Sequence, residues 1–289
     1  MSATHSNPSR LHDYAALTKP EVNLLVLMTT ATGYCLACRG PLHTVGMINT
    51  LLGTLLVASG TATLNQWIER TWDAQMRRTA NRPLPAGRIS PGAAFRFGIS
   101  MSIAGGLYLD IAVNRLAAVL ALSTLLSYLL VYTPLKRKTP MCTLLGAIPG
   151  AMPALIGWSG ASSVIDAPAW LLFSILFLWQ FPHFLAIALM YREDYTRAGY
   201  KMLPEFDVDG CFTRWEIASF TGLLVAATLL MELRAGVIPA LVVTLAGVLL
   251  LYPVSRLVKT PSRTMARRVV HASVSYLPIV LLVKVLCKG

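Results

Sequence analysis

Long apolar runs, separated by short polar or charged segments, occupy most of this sequence. A helix needs about 20 apolar residues to cross the hydrocarbon core of a bilayer, so we assign each uncharged run to one membrane-spanning helix. Six runs are long enough as they stand. They cover residues 22–38, 44–68, 116–135, 139–165, 167–191 and 235–255.

Three further runs are shorter, at residues 97–109, 217–231 and 269–283. Each can lengthen if a charged residue at its end lays its aliphatic stem along the helix and places its charge at the interface. Arg96, Glu216 and Lys284 are placed to do so. The pattern therefore predicts an all-α integral membrane protein with nine transmembrane helices.

In chain order the fifth and sixth runs, residues 139–165 and 167–191, contain small residues and prolines. Gly146 and Gly150 form a GxxxG pattern, which predicts that the fifth helix packs closely on a neighbour. Pro149 and Pro153 in the same run, and Pro182 in the next, predict kinks whose freed carbonyls neighbouring groups must satisfy.

The first 20 residues are polar and lack the apolar core of a signal peptide. We expect residues 1–20 to form a polar cytoplasmic N-terminal segment. Residues 21–289 are then expected to form a single polytopic membrane domain.

Composition supports this class and limits the partners. The 289 residues are 55% hydrophobic and only 13% charged, whereas a soluble domain carries about 25% charged residues. A net charge of +12 would suggest nucleic acid in a soluble protein. Here the basic residues lie in short loops, so we expect the lipid bilayer and an anionic substrate as partners, and no nucleic acid.

The basic residues also predict an orientation, because Lys and Arg are retained on the cytoplasmic side of membranes. With a cytoplasmic N-terminus, 20 of the 25 Lys and Arg residues fall on the cytoplasmic side. The other five are Arg39, Arg115, Arg234, Lys284 and Lys288. We therefore expect a cytoplasmic N-terminus, an external C-terminus and, as the simplest location, a bacterial inner membrane.

Three polar residues at the end of the second run need an explanation other than topology. Asn65, Glu69 and Asp73 stand four residues apart and share one face of a helix over about 12 Å. Such oxygen ligands suit Mg²⁺, a hard cation. Salt bridges with the basic run that follows are the alternative.

A second group of acids follows the sixth run, where Glu193 and Asp194 precede Arg197 and Lys201. Both acidic groups lie at cytoplasmic helix ends, which suggests one pocket in which Mg²⁺ bridges carboxylates to phosphate oxygens. The expected ligand is a diphosphate with an apolar remainder, such as a prenyl diphosphate. Basic residues that can bind the diphosphate are Lys19, Arg78, Arg82, Lys136, Arg197 and Lys201.

These motifs resemble those of the UbiA-type intramembrane prenyltransferase superfamily. The pattern N-x-x-x-[DE]-x-x-x-D is met by Asn65, Glu69 and Asp73, and R-T-x-x-R-P-L-P by residues 78–85. Tyr132 and Lys136 match a Y-x-x-x-K element. The resemblance runs from about residue 18 to the C-terminus.

Four segments resemble one branch of that superfamily, the protohaem IX farnesyltransferases or haem O synthases. They are residues 133–140, 149–158, 179–184 and 194–204. Quinone-pathway members usually carry D-x-x-x-D in the second acidic loop. The adjacent acids Glu193 and Asp194 depart from that pattern, which favours the haem branch but weakens the assignment of metal ligands there.

The resemblance implies nine helices around a central cavity, a Mg²⁺ cofactor, and farnesyl diphosphate and haem b as substrates. Transfer to a haem vinyl group, followed by addition of water, would give haem O for hand-off to haem A synthase or a terminal oxidase. The implied catalytic and metal-binding residues are Asn65, Glu69, Asp73, Glu193 and Asp194.

His183 and Tyr132 are the candidates for contact with haem. His183 is an ionisable residue inside an apolar run, and imidazole is a ligand of haem iron. A hydrogen bond from His183 to a neighbouring helix is the alternative.

Two other functions remain open from the sequence. A prenyltransferase could act on an aromatic quinone precursor such as 4-hydroxybenzoate. A transporter of an anionic lipid precursor would also need many helices with polar groups among them.

Overall fold

A computed structural model describes residues 9–232 and 236–288, and it is built of helices joined by short loops. Nine long helical segments lie within this part of the chain, each at one of the predicted apolar runs. Their bounds are α2 Pro20–Ala37, α3 Thr44–Asp73, α4 Pro91–Ala112, α5 Arg115–Leu126 with its continuation to Leu135, α7 Cys142–Ala161, α8 Ala167–Met190, α11 Cys211–Glu232, α12 Val237–Lys259 and α13 Arg263–Leu286.

Seven of these segments are long and apolar enough to cross a membrane. The other two, α2 and α4, pack against the seven and complete the bundle. The three short runs correspond to α4, α11 and α13. Each helix extends beyond its run at both ends, as expected if charged residues at the helix ends lie at the interface. The class of an all-α, multi-pass membrane protein is therefore confirmed.

The continuation of α5 leaves regular α-helical geometry. Residues Ser127–Tyr132 form a π-helical segment, and the single turn α6, Thr133–Leu135, follows. The Thr133 hydroxyl donates to the Tyr128 carbonyl at 2.8 Å, five residues back. Short π segments inside helices are frequent at functional sites because they re-aim the side chains that follow.

Three short helices lie at the same side of the bundle as α6. They are α1 Arg10–Leu17, α9 Arg192–Arg197 and α10 Leu203–Phe206. The predicted polar N-terminal segment thus contains a helix that the polarity of residues 1–20 did not indicate. Residues 1–8, Arg234 and residue 289, which entered the sequence predictions, lie outside the described residues.

Helix α1 is docked onto the bundle rather than free in solvent. Leu17 is fully buried, and its carbonyl accepts a hydrogen bond of 2.7 Å from the Gln66 side chain on α3. Asp13 accepts from Arg88 at 2.9 Å, which ties α1 to the loop before α4. This docking fixes the start of α2 and the residue before it, Lys19.

Helix α7 packs closely on its neighbours, as its GxxxG pattern predicted. A Cβ atom at Gly146 would meet the Tyr132 ring, and one at Gly150 would overlap the Gln180 amide. The closest backbone approach lies further along α7, where a Cβ at Gly157 would overlap the Thr30 carbonyl of α2. Helices α2 and α7 therefore touch backbone to backbone.

We expect Gly157→Ala to lower the free energy of unfolding by about 1–3 kcal/mol, because the added methyl group must push α2 away from α7. Titration with a denaturing detergent measures this change. Gly222→Ala is the matched control, since a Cβ there meets nothing within 4 Å. Equal stabilities of the two variants would show that the contact between α2 and α7 can relax freely.

A central cavity of about 480 Å³ lies among α2, α3, α5, α7 and α8. Its body is apolar, and its mouth opens toward the side that carries α1, α6 and α9. Glu69 and Asp73, with basic side chains that contact them, line this mouth.

Candidate active site

The predicted polar stripe lies on α3 at the mouth of the cavity. Helix α3 continues beyond the apolar run and ends at Asp73, so Asn65, Glu69 and Asp73 stand on successive turns of one helix. Each residue is at most 5% exposed, and all three line the cavity.

Each residue of the stripe contacts a basic side chain. Lys19 donates to Asn65 Oδ1 at 3.0 Å, Lys136 Nζ lies 2.6 Å from Glu69 Oε1, and Arg82 Nη1 lies 2.7 Å from Asp73 Oδ2. Asn65 also donates to Glu69 Oε2 at 3.0 Å. The site is thus a row of two ion pairs, at Glu69 and Asp73, and one hydrogen bond from a lysine, at Asn65. Such pairing is the arrangement that the sequence left open as an alternative to metal binding.

Lys19 reaches the stripe because of its backbone conformation. It is the one residue other than glycine with a positive φ, 51°, among those that the structure describes. This left-handed turn joins α1 to α2 and directs the side chain toward Asn65. Burial and the nearby Arg82 guanidinium lower the pKa of Lys19 to about 7.

Lys136 follows the π-helical segment and lies between two tyrosine rings. Its Nζ is 4.7 Å from the ring centre of Tyr132 and 5.8 Å from that of Tyr200. Burial opposes the charged form, but the Glu69 carboxylate outweighs it and holds the pKa of Lys136 well above its usual value. Lys136 is therefore a fixed positive charge at the mouth.

The loop after α9 is tied to the loop after α6 by one backbone bond. The Lys201 amide donates to the Lys136 carbonyl at 2.6 Å. This places Tyr200, which is 2% exposed, in the cavity wall. Burial and the Glu69 carboxylate raise the pKa of the Tyr200 phenol, so it stays a neutral donor.

Other members of the second acidic loop lie away from the cavity wall. Glu193 is exposed, Asp194 pairs with Arg197 at 3.3 Å, and the Lys201 ammonium pairs with Glu205 at 3.0 Å. The structure does not bring the predicted side chains of the second acidic group to the α3 stripe. These are Glu193, Asp194, Arg197 and Lys201. Their roles in binding metal and diphosphate stay predictions.

We expect Asp194→Asn to lower the free energy of unfolding by up to about 1 kcal/mol, because it breaks an ion pair with Arg197, whose side chain is 42% exposed. Glu193→Gln should stay within about 0.5 kcal/mol of the wild type, as is usual for a surface change. Titration with a denaturing detergent measures both. Equal stabilities of the two variants would show that the pair between Asp194 and Arg197 contributes nothing to the fold.

The loop after α3 carries the two predicted arginines. Thr79 donates to the Asp73 carbonyl at 2.8 Å, which turns the chain back so that Arg82 reaches the Asp73 carboxylate. The Arg78 guanidinium lies 5.2 Å from the ring centre of Tyr191 and 3.4 Å from the Tyr195 hydroxyl. Both arginines line the cavity, so each can donate to an anion placed there.

The apolar body of the cavity contains the predicted haem contacts. His183 and Tyr132 both line it, as does Trp179, whose ring stacks on His183. Sequence reasoning missed several polar lining residues. These are Asn23, Tyr128, Thr143, Gln180, Tyr195 and Tyr200. A single polar residue inside an apolar run or a loop gives no periodic signal. Tyr195 and Tyr200, however, lie beside the second acidic group in the sequence and could have been noted for that reason.

The oxygen atoms of the stripe fit Mg²⁺. No three His, Cys, Asp or Glu side chains within residues 9–232 and 236–288 come close enough to hold a metal by themselves. Magnesium, however, commonly uses one or two carboxylates together with waters and substrate phosphates. Glu69 Oε1 is buried against the Lys136 ammonium at 2.6 Å, so a metal ion can take that position once Lys136 turns to a bound anion.

The arrangement suits a ligand with two different ends. The mouth presents two carboxylates, one amide and four basic side chains, whereas the body presents apolar helix faces. An anionic head with its metal ion fits the mouth, and a long apolar tail fits the body. The fold and the site together define a membrane-embedded protein whose cavity is suited to an anionic group attached to an apolar chain.

This chain belongs to the UbiA prenyltransferase family, whose sequence profile matches residues 26–275. It is 43% identical over 281 residues to the protoheme IX farnesyltransferase of Solibacter usitatus (strain Ellin6076), and the alignment covers 93% of this chain and 96% of that relative. The family predicted from the motifs is therefore confirmed.

Solved structures share the fold. One, from work on digeranylgeranylglyceryl phosphate synthase in membranes, superposes with a TM-score of 0.77 at 18% identity over 96% of this chain and 98% of that one. A UbiA homologue from Archaeoglobus fulgidus, bound to GPP and Mg²⁺, superposes with a TM-score of 0.66 at 16% identity over 94% and 99%. At these identities the likeness establishes the architecture alone.

Proposed function

We propose that this prenyltransferase transfers the farnesyl group of farnesyl diphosphate to a vinyl group of haem b, with addition of water, to make haem O. The observation that carries the proposal is the two-part cavity, which has an ion-paired mouth for a diphosphate and an apolar body lined by His183 and Trp179. The name of the relative from Solibacter usitatus supports the choice of haem over an aromatic quinone precursor.

The residues at the mouth would bind and activate the diphosphate. Asn65, Glu69 and Asp73 would hold Mg²⁺, which when bound neutralises charge on the departing diphosphate. Released from the acids, Lys136 and Arg82 would donate to the diphosphate oxygens and stabilise the negative charge that develops as the C1–O bond breaks. Metal binding in the homologue from Archaeoglobus fulgidus supports a divalent cofactor here.

The chemistry at carbon needs no protein nucleophile. The diphosphate leaves with the electron pair of the C1–O bond, and the haem vinyl group supplies the pair that forms the new C–C bond. Water then adds to the resulting cation and loses a proton, which leaves a hydroxyethylfarnesyl group. The apolar wall keeps other water from the farnesyl cation, while the mouth holds the diphosphate.

The charge distribution supports an orientation for the protein in the membrane. The excess of Lys and Arg at the end that carries the site supports an active site facing the cytoplasm and an N-terminus on that side, in a bacterial inner membrane. Residues 9–20 then form the start of the cytoplasmic face. Transfer of haem O to haem A synthase or a terminal oxidase stays a prediction.

The test is to incubate purified protein with farnesyl diphosphate, Mg²⁺ and either haem b or 4-hydroxybenzoate, and to read product mass. We expect a product only with haem, heavier than haem b by one farnesyl group and one hydroxyl group. A prenylated 4-hydroxybenzoate alone would overturn the choice of acceptor. Movement of farnesyl diphosphate across proteoliposomes without any turnover would instead favour the transporter.

A further inference from the structure

Hydrogen bonds around His183 fix which of its ring nitrogens carries the proton. His183 Nδ1 lies 2.9 Å from Ser273 Oγ, and the same hydroxyl lies 2.8 Å from the Val270 carbonyl. A carbonyl can only accept, so the single hydroxyl hydrogen of Ser273 points to Val270. Ser273 Oγ therefore accepts from His183, and Nδ1 carries the hydrogen.

The orientation of the ring is also fixed by α13. Trp179 stacks on His183 with ring centres 4.8 Å apart and planes within 17°, and its indole nitrogen donates to the Ser273 carbonyl at 2.7 Å. Both rings are thus held by one residue of α13. His183 Nε2 makes no hydrogen bond to a described residue, and of the histidines that the structure describes only His183 lines the cavity.

The depth of His183 suits an acceptor that lies below the charged mouth. The residue precedes Met190, the last residue of α8, by about 10 Å along the helix. Glu69 and Asp73 occupy the mouth itself. A flat apolar molecule ligated at His183 would therefore lie beside a prenyl chain whose diphosphate is held at the mouth.

We propose that Ser273 is a positioning residue, which holds His183 as the Nδ1–H tautomer so that Nε2 ligates the iron of the haem substrate. A neutral imidazole whose second nitrogen donates to a fixed acceptor is the usual form of a metal-ligating histidine. The inference rests on the proposed function, because it takes haem as the acceptor.

The test is to titrate purified full-length protein in lipid nanodiscs with ferric haem b and to record absorption and EPR spectra. We expect a nitrogen-ligated spectrum for the wild type, its loss in His183→Ala, and its return with added imidazole. Ser273→Ala should keep the ligand but weaken haem binding by about tenfold. It should also raise the reduction potential of the bound haem, because a less basic imidazole stabilises the ferric state less.

Two control variants distinguish loss of the haem ligand from misfolding. His183→Gln keeps a donor for Ser273 and similar bulk but offers no imidazole, so it should lose the spectrum as well. His271→Ala removes an exposed histidine of α13 and should match the wild type.

The outcomes separate this inference from the proposed function. A wild-type spectrum in both His183 variants, with haem O still produced by the wild type, would overturn the ligation alone. An unchanged affinity and potential in Ser273→Ala would overturn the role of Ser273. A wild type that binds no haem would overturn both the inference and the proposed function.

Discussion

Asp73→Asn is expected to abolish most haem O formation, with a fall in rate of about 10²–10³-fold, the loss typical when one stabiliser of transition-state charge is removed. Asp73 is 1% exposed, contacts Arg82 at 2.7 Å and closes the oxygen stripe at the mouth of the cavity. The substitution keeps the shape of the side chain but removes the charge that would hold Mg²⁺. The rate with farnesyl diphosphate and haem b measures the effect.

Asp110→Asn is the matched control for this prediction. Asp110 also faces an arginine, Arg115, at 3.8 Å, but the pair is exposed and lies at the opposite end of the bundle. We expect its rate to stay within about twofold of the wild type. A full rate for Asp73→Asn in protein that folds normally would exclude Asp73 as a metal ligand.

Lys136→Gln is expected to lower the rate by about 10²-fold and to destabilise the protein by about 3–5 kcal/mol. The rate falls because the departing diphosphate loses its interaction with one fixed positive charge of the protein. Stability falls because Glu69, 5% exposed, loses the cation that pairs with it, and the neutral Asn65 amide does not compensate its charge. The double variant Lys136→Gln/Glu69→Gln should regain stability but not activity, since it removes the unpaired charge and the catalytic groups together.

Lys138→Gln provides the control from the same loop. Lys138 is exposed and lies outside the cavity wall, so both rate and stability should be close to those of the wild type. If Lys136→Gln and Lys138→Gln behaved alike, Lys136 would serve only the orientation of the protein in the membrane.

The sequence predicted the helices well because a bilayer imposes one rule on every span. Each of the nine apolar runs became a helix, since a helix satisfies its backbone hydrogen bonds within a single span inside lipid. The ends were less predictable. Helix α3 extends to Asp73, and α1 lies within a segment expected only to be polar, because helix formation there depends on burial of Leu17 and on the bond between Asp13 and Arg88.

Prediction of the site succeeded where its residues share a helix and stopped where they meet through space. The spacing of Asn65, Glu69 and Asp73 placed them on one face of α3. Nothing in the spacing indicates that the amide of Lys201 bonds to the carbonyl of Lys136 and so brings Tyr200 into the wall. Contacts between distant loops depend on the packed bundle, which no local pattern encodes.

The ion pairs at the mouth couple the binding of the metal ion to the binding of the diphosphate. A metal ion arriving alone would leave Lys136 and Arg82 without counter-charges, and a diphosphate arriving alone would strand Glu69 and Asp73 in the same way. Arriving together, they exchange partners and leave no charge uncompensated. Positive thermodynamic linkage follows: each should raise the affinity for the other by the same factor.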